Sequence, residues 1–333
     1  MSGVNLHAPT APPVVKPFPD KVVVMIEASC AARCPSCPFS SWNSPIRESL
    51  ARDGHTSLDL RVASKIVQEI GQNKSWVHFT GAGEPFQWPH GLVDLIWEAR
   101  TEGARTWVNT HGNLVGPDVA MQLLQAGHDV TEFSVDAADE KTYGIVRRGL
   151  SWNLLLANID TMLELRARYY AKGPSRVIVS VILQDLLKAK LAEVEKFWKD
   201  RGVDHVSFRK FLTWGAQSDI DSRHAIMPDA YLRPEDGDPC PYPFERMGVD
   251  STGHIVICNA DITGQTDFGD LNDEGVTIAG AWNSEAMKKV RELHAAGRGR
   301  EASKACAGCT DWSFRSWTHN YAKIDRLTKI GTP

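Results

Sequence analysis

Val22-Val-Val-Met-Ile-Glu-Ala-Ser-Cys30-Ala-Ala-Arg-Cys34-Pro-Ser-Cys37 reads as an apolar β-strand, Val22 to Ala28, running directly into a loop with three thiols within eight residues. Such a loop can wrap three ligands around one inorganic core. Cysteine thiolates are the standard ligands of a [4Fe-4S] cluster, and three of them leave one iron open to a non-protein ligand. An open coordination position is what separates a reactive metal centre from a structural one. A zinc knuckle or an incidental cysteine-rich loop would use the same residues, but C-x3-C-x2-C placed straight after a first strand is far more specific than a single C-x2-C.

Working outward, short apolar runs alternate with amphipathic segments from Lys21 onward, the pattern of βα units. Strands are expected over Val22 to Ala28, Trp76 to Thr80, Arg105 to Thr110, Asp129 to Val135, Arg176 to Leu183 and His205 to Lys210. Helical spacing joins Leu92, Leu95, Ile96 and Ala99, and again Leu187, Leu191, Val194, Phe197 and Trp198. Gly71, Gly103, Gly127 and Gly202 stand where a helix-ending residue takes positive φ. Six such units favour an α/β fold, a partial (β/α)6 barrel with its active site at the strands' C-terminal edge. A flat doubly wound sheet is the competing arrangement.

The pattern breaks after Gly215. Asp219 to Asp238 is polar and proline-punctuated, so residues 216–239 read as a linker or lid. Beyond it, Phe244 to Val249 and His254 to Cys258 flank Asp-Ser-Thr-Gly, the signature of a hairpin, and a helix is expected over Ser284 to Ala296, closed by Gly297. The expected organisation is an extended proline-rich arm over 1–20, a core over 21–215, the linker, a small α+β module over 240–315 and a tail over 316–333.

Composition narrows the partners. A net charge of −4 offers no general affinity for nucleic acid. No run approaches the roughly 20 apolar residues that span a bilayer, and the start lacks a secretory signal, so a cytoplasmic location is expected. In a reducing compartment, seven cysteines are better metal ligands than disulfides. Four lie late: Cys240, Cys258, then Cys306-Ala-Gly-Cys309. Four thiolates can ligate a second [4Fe-4S] cluster completely, or a zinc ion. Three plus four leaves no thiol over.

Cys30, Cys34 and Cys37 after strand one resemble the motif of the radical S-adenosylmethionine (SAM) superfamily. Gly81-Ala-Gly83-Glu84-Pro85 after strand two is similar to its Gly-Gly-Glu-Pro, Thr110-His-Gly to its Thr-Asn-Gly, and Ser134-Val-Asp136 to its Ser-Val-Asp. The resemblance implies that SAM's methionine amino group meets the Gly81, Gly83 and Glu84 turn, with Thr110, Ser134 and Asp136 near its ribose and carboxylate. Two positions depart from the family: Ser36 stands where an aromatic residue is common, with Phe39 as a substitute packing group, and His111 replaces the asparagine. The late cysteines, hairpin and helix resemble the twitch module, a shortened SPASM auxiliary-cluster domain.

What the resemblance implies is a radical SAM oxidoreductase with two [4Fe-4S] clusters, one binding SAM and one auxiliary. Such enzymes cleave SAM reductively to a 5′-deoxyadenosyl radical, which abstracts hydrogen from a C–H bond. Full use of the cysteines as ligands disfavours an epimerase that quenches with a free thiol, and the likeness is greatest to twitch dehydrogenases such as 2-deoxy-scyllo-inosamine dehydrogenase. The expected substrate is a small polar molecule such as an aminocyclitol or sugar, with an electron donor such as flavodoxin or ferredoxin. Modification of a ribosomally made peptide is the alternative within enzymes, and a zinc-binding scaffold the alternative outside them.

Other residues carry weaker expectations. Arg147, Arg148, Arg209 and Lys210 at strand ends either meet an anionic group or lie in solvent. Tyr242 and Glu245 line a pocket or pack at the cluster; His78 is a satisfied core histidine; Trp312, Phe314, Trp317 and Tyr321 dock the tail.

Overall fold

The β-branched runs form six parallel strands, β1 (Lys21–Val24), β2 (Trp76–Phe79), β3 (Arg105–Thr110), β4 (Val130–Ser134), β5 (Arg176–Ile182) and β6 (His205–Arg209). The computed structural model describes residues 14–39, 57–209, 240–261, 266–307 and 309. Helices α1 (Leu60–Gln72), α2 (Leu92–Thr101), α3 (Pro117–Gln125), α4 (Glu140–Val146), α5 (Trp152–Tyr169) and α6 (Leu191–Asp200) connect the strands. Each strand pairs in parallel with its successor in sequence. Because right-handed crossovers that never reverse direction place every helix on one face, this order excludes the doubly wound sheet. The other face is left to curve around a lumen, as in a partial barrel.

Apolar residues of the covered face, among them Val22, Val77, Phe79 and Val179, share one core with Ile66, Leu95 and Ile159 of the helices. Two helix readings change. Gly71 lies inside α1, where a Cβ would fall 2.5 Å from Glu102, so it serves close packing; Lys74 takes the positive φ of 52° instead. Gly103, Gly127 and Gly202 do have positive φ. The stretch from Leu187 is not one helix: a 3-10 turn at Asp185–Leu187 precedes α6, with the Lys190 amide bonded back to the Leu187 carbonyl.

The expected linker and Lys210 fall outside the described residues. Past them, α7 (Tyr242–Glu245) enters β7 (Arg246–Val249), and β8 (Ile255–Val256) folds back antiparallel. Phe244 belongs to the helix because Pro241 and Pro243 preset helical φ. The turn between them is held by the Asp250 carboxylate, which accepts from the amides of Thr252 and His254 at 2.9 and 3.0 Å. β7 pairs in parallel with β1, giving one sheet in the order β6-β5-β4-β3-β2-β1-β7-β8. The hairpin therefore extends the barrel's own sheet. Helix α8 (Ile278–Trp282) and α9 (Glu285–Ala295) follow; Ser284 caps α9 and Gly297 closes it with φ of 72°. α10 (Lys304–Ala307) comes last.

Contacts remote in sequence tie this C-terminal part to the barrel. The Glu69 carboxylate on α1 accepts from the amides of Ile278 and Ala279, at 2.9 and 2.8 Å, satisfying the free N–H groups at the start of α8. Lys65 donates to the carbonyls of Leu271 and Asp273. The end of the expected arm is part of the same seam. Phe18 is buried, Trp282 donates to the Lys16 carbonyl at 2.9 Å, and Asn283 donates to that of Pro17. Residues 1–13 of the arm and the aromatic residues of the tail lie outside the described residues.

Replacing Glu69 with alanine leaves two buried-seam amides unbonded, so urea denaturation should show a loss of about 1–2 kcal/mol. A second expectation concerns pH. His128 is fully buried with Nδ1 2.7 Å from Thr106 Oγ1, and burial holds its pKa down to about 3. The unfolded chain binds the proton first, so this contribution is complete above the ordinary histidine pKa and drains as pH falls below it. Going from pH 6.5 to 5 should cost about 2 kcal/mol. Denaturation curves of His128→Gln should lack that share of the pH dependence.

Candidate functional site

The cysteine loop is shaped by its own far end and by contacts from two other strand-to-helix connections, those after β2 and β4. Glu27, at the end of β1's run, accepts from the Ser29 amide and the Ser57 hydroxyl at 2.7 and 2.5 Å. The Glu84 amide donates to the Ser29 carbonyl at 2.8 Å, the Ala31 amide to Gln87 at 2.7 Å, and the Arg33 amide to the Arg148 carbonyl at 2.7 Å. At Gly83, with φ of 48°, a Cβ would fall 2.3 Å from the Glu27 carbonyl and 2.4 Å from that of Ser29. The glycine is thus demanded by the protein's own backbone, in addition to any ligand. Gly81 likewise leaves no room beside Met25.

Cys30, Cys34 and Cys37 share this loop, the Cys37 amide closing a turn onto the Cys34 carbonyl at 3.1 Å. Burial pushes the Cys30 thiol up to about 12 and Cys34 to about 11, and the neighbouring thiols add to the effect. Three mutually repelling thiolates in a buried loop need a compensating cation, which cluster iron supplies. No fourth cysteine lies in this loop, so the donor set fits a cluster with one open iron.

The motif residues form two networks. Glu84 is buried; its carboxylate accepts from Thr110 Oγ1 at 2.7 Å, from the His111 amide at 2.8 Å and from the Phe86 amide at 3.2 Å. It therefore pins the end of β3 to the end of β2, with one acceptor position left over. His111 lies close by, Nε2 3.5 Å from Glu84, while Nδ1 accepts from the Asn113 amide. In the second network Asp136, at φ of 57°, accepts from the Ile182 amide at 2.6 Å and pairs with Arg147 at 2.7 Å. Burial pushes the Asp136 carboxyl up against the opposing pull of Arg147. Arg147 in turn reaches the Cys34 sulfur at 3.9 Å. It is mostly buried, unlike its exposed neighbour Arg148, and Asp136 acts to aim it. Ser134 ends β4 beside this pair. Phe39 packs with Met25, Ala28 and Ala82 against Cys37.

The late cysteines also assemble. Cys240 precedes α7, Cys258 follows β8, and Cys306 and Cys309 share a turn in which the Cys309 amide donates to the Cys306 carbonyl. Burial pushes Cys240 and Cys258 up, and the charges of the partner thiols push further. Among the described residues no His, Cys, Asp or Glu group closes on a point that could hold a single ion. The other late thiols lie close enough for their charges to act on Cys240 and Cys258, and four thiolates can ligate an iron–sulfur cluster.

Between the two cysteine sets the sheet's inner face carries a buried polar belt. Arg246 lies in register with Lys21; Lys21 Nζ is 3.3 Å from His78 Nδ1, whose Nε2 is 2.7 Å from Asn109. Glu132, fully buried, accepts two bonds from Arg209, at 2.7 and 2.6 Å, and one from Trp107. Burial holds Lys21 well below the ordinary ammonium range, with Arg246 and Arg209 adding repulsion. His78 is a satisfied core histidine, as expected, and Arg209 is paired. Tyr242 bonds Asn259 and lies under Arg246; Glu245 pairs with Arg246. Sequence reading missed Lys21, Asn109, Glu132 and Arg246. Their signal was available: a strand buried on both faces should be apolar throughout, so a charge inside one marks a special interior.

Residues 26–172 match the family model of the Radical SAM superfamily, and residues 240–310 that of the SPASM iron-sulfur cluster-binding domain. Among curated proteins, the tungsten-containing aldehyde ferredoxin oxidoreductase cofactor-modifying protein of Pyrococcus furiosus is 23% identical over 185 residues. That match covers 54% of this chain and 48% of the relative, about half its length. Among solved structures, Streptococcus suis SuiB bound to precursor peptide SuiA aligns with a TM-score of 0.66 at 13% identity, over 89% of this chain and 72% of that one. BtrN in complex with AdoMet and 2-DOIA gives 0.53 at 14% identity, over 87% and 92%. anSMEcpe with AdoMet and a Cp18Cys peptide gives 0.53 at 12%, over 93% and 98%. At these identities the likeness is one of fold. No helix among the described residues is long and apolar enough to cross a membrane.

Gly83→Ala tests the shaping of the cysteine loop. Its Cβ must displace the backbone of Glu27 or Ser29, so the variant should bind SAM at least tenfold more weakly by equilibrium dialysis.

Proposed function

We propose that this chain, which carries a radical SAM domain followed by a SPASM cluster-binding domain, is an oxidoreductase that removes hydrogen from a small polar substrate such as an aminocyclitol or sugar. The observation that carries the reading is the division of all seven cysteines into a loop set of three and a gathered set of four. None is left to return a hydrogen atom to the substrate, which argues against epimerisation and for net oxidation.

Cys30, Cys34 and Cys37 would hold the SAM-binding cluster; Cys240, Cys258, Cys306 and Cys309 would hold one auxiliary cluster. When bound, SAM and the clusters supply the radical that takes hydrogen from a C–H bond and a place for the electron left behind. The chain's own residues do the positioning. Carbonyls of the Gly81 to Gly83 turn would meet the ammonium of SAM, with Glu84 bracing that turn and offering its remaining acceptor. Arg147, aimed by Asp136, would receive a carboxylate. Thr110 fixes the end of β3, and Ser134 would lie on the ribose side. The belt of Asn109, Glu132, Arg209 and Arg246 would bond a substrate rich in hydroxyl or amino groups. A reduced flavodoxin or ferredoxin would supply electrons, in the cytoplasm.

Support comes from the fold likeness to BtrN, whose structure holds AdoMet and 2-DOIA. SuiB, bound to a precursor peptide, has the same fold, so a peptide substrate is the second reading. The test is incubation of anaerobically reconstituted protein with SAM, dithionite and separate panels of aminocyclitols, sugars and peptides. The expected product is about two mass units lighter than a small-molecule substrate, with 5′-deoxyadenosine formed in step. A product of unchanged mass and inverted stereochemistry, or turnover of peptides alone, would overturn the reading. Cys30→Ala, Cys34→Ala and Cys37→Ala combined should abolish SAM cleavage.

A further inference from the structure

Among the described residues, a buried histidine outside the motifs faces a cysteine of the late set. His294, in the last turn of α9, is 5% exposed, and its Nε2 is 3.8 Å from Cys306 Sγ. The far side of the ring is closed by Gly299, where a Cβ would fall 2.4 Å from Nδ1 and 2.6 Å from Cε1. The backbone that carries the sulfur is held as well. The Cys306 amide donates to the Ser303 hydroxyl and carbonyl, at 3.1 and 3.2 Å.

We propose that His294 is a positioning residue that donates a hydrogen bond from Nε2 to the Cys306 thiolate and so raises the reduction potential of the auxiliary cluster. An iron-bound thiolate has only lone pairs to offer, so the contact puts the proton on the nitrogen. Withdrawing electron density from a ligating sulfur favours the reduced cluster, and hydrogen bonds to the sulfurs are among the levers that set such potentials. That direction suits a cluster that accepts an electron. The inference rests on the reading that Cys240, Cys258, Cys306 and Cys309 hold a cluster, and is independent of which substrate is oxidised.

Redox titration of the reconstituted holoenzyme followed by electron paramagnetic resonance tests it, with the auxiliary signal assigned in the Cys30, Cys34 and Cys37 triple-alanine protein. In His294→Leu the auxiliary potential should fall, the SAM-cluster potential and the iron and sulfide content staying as in the wild type. His294→Gln, which keeps a donor, should recover most of the shift. Gly299→Ala should shift the auxiliary potential with the histidine present, because its Cβ displaces the ring against the Cys306 sulfur. An unchanged potential in His294→Leu and Gly299→Ala overturns the proposal, as does loss of auxiliary iron from both His294 variants, which would make the residue a ligand. A Cys240, Cys258, Cys306 and Cys309 quadruple-alanine protein that retains full iron and sulfide overturns the auxiliary-cluster reading itself.

Discussion

The backbones of Gly83 and of the Glu27 to Ser29 segment lie so close that no side chain fits between them. That contact decides where the chain leaves β1 and how the three-thiol loop curves. Gln87, Arg148 and the Glu84 amide then hold the loop from three directions, so the thiols are presented by a braced frame. A site assembled this way loses little conformational freedom when it takes up a cofactor, which is the advantage of preorganisation. Two residues expected to touch a ligand, Glu84 and Thr110, are bonded to each other, and Glu84 spends two further acceptor positions on the amides of Phe86 and His111.

Charge burial is the second theme. Glu132 accepts three hydrogen bonds and is paired with Arg209, and Lys21 and His78 share a bond, so the interior tolerates groups that would be costly alone. Such an interior differs from the filled apolar core of a closed eight-stranded barrel. The polar groups of this inner face are bonded to one another across the strands of the sheet. The C-terminal part contributes directly, since Arg246 on β7 completes the belt beside Lys21.

Much of this was legible before any coordinates. Parallel strands and helix ends followed from period-two and period-3.6 patterns, because side-chain direction is local geometry. Element ends shifted by one to four residues, where proline or hydrogen-bond partners from afar intervened. The local register of Cys30, Cys34 and Cys37 fixed one loop as a ligand set, and the count of seven thiols divided the rest.

The sequence by itself determined the repeating βα order, the cysteine sets and the family resemblance they carry. Only the tertiary structure decided that Gly71 is a helix contact, that the hairpin joins β1, that Arg147 is buried and aimed at Cys34, and that His294 meets Cys306. The reason is physical: propensity, capping and ligand spacing act within a few residues. Burial and hydrogen bonding between residues 12 to 266 positions apart exist only once the fold has brought them together.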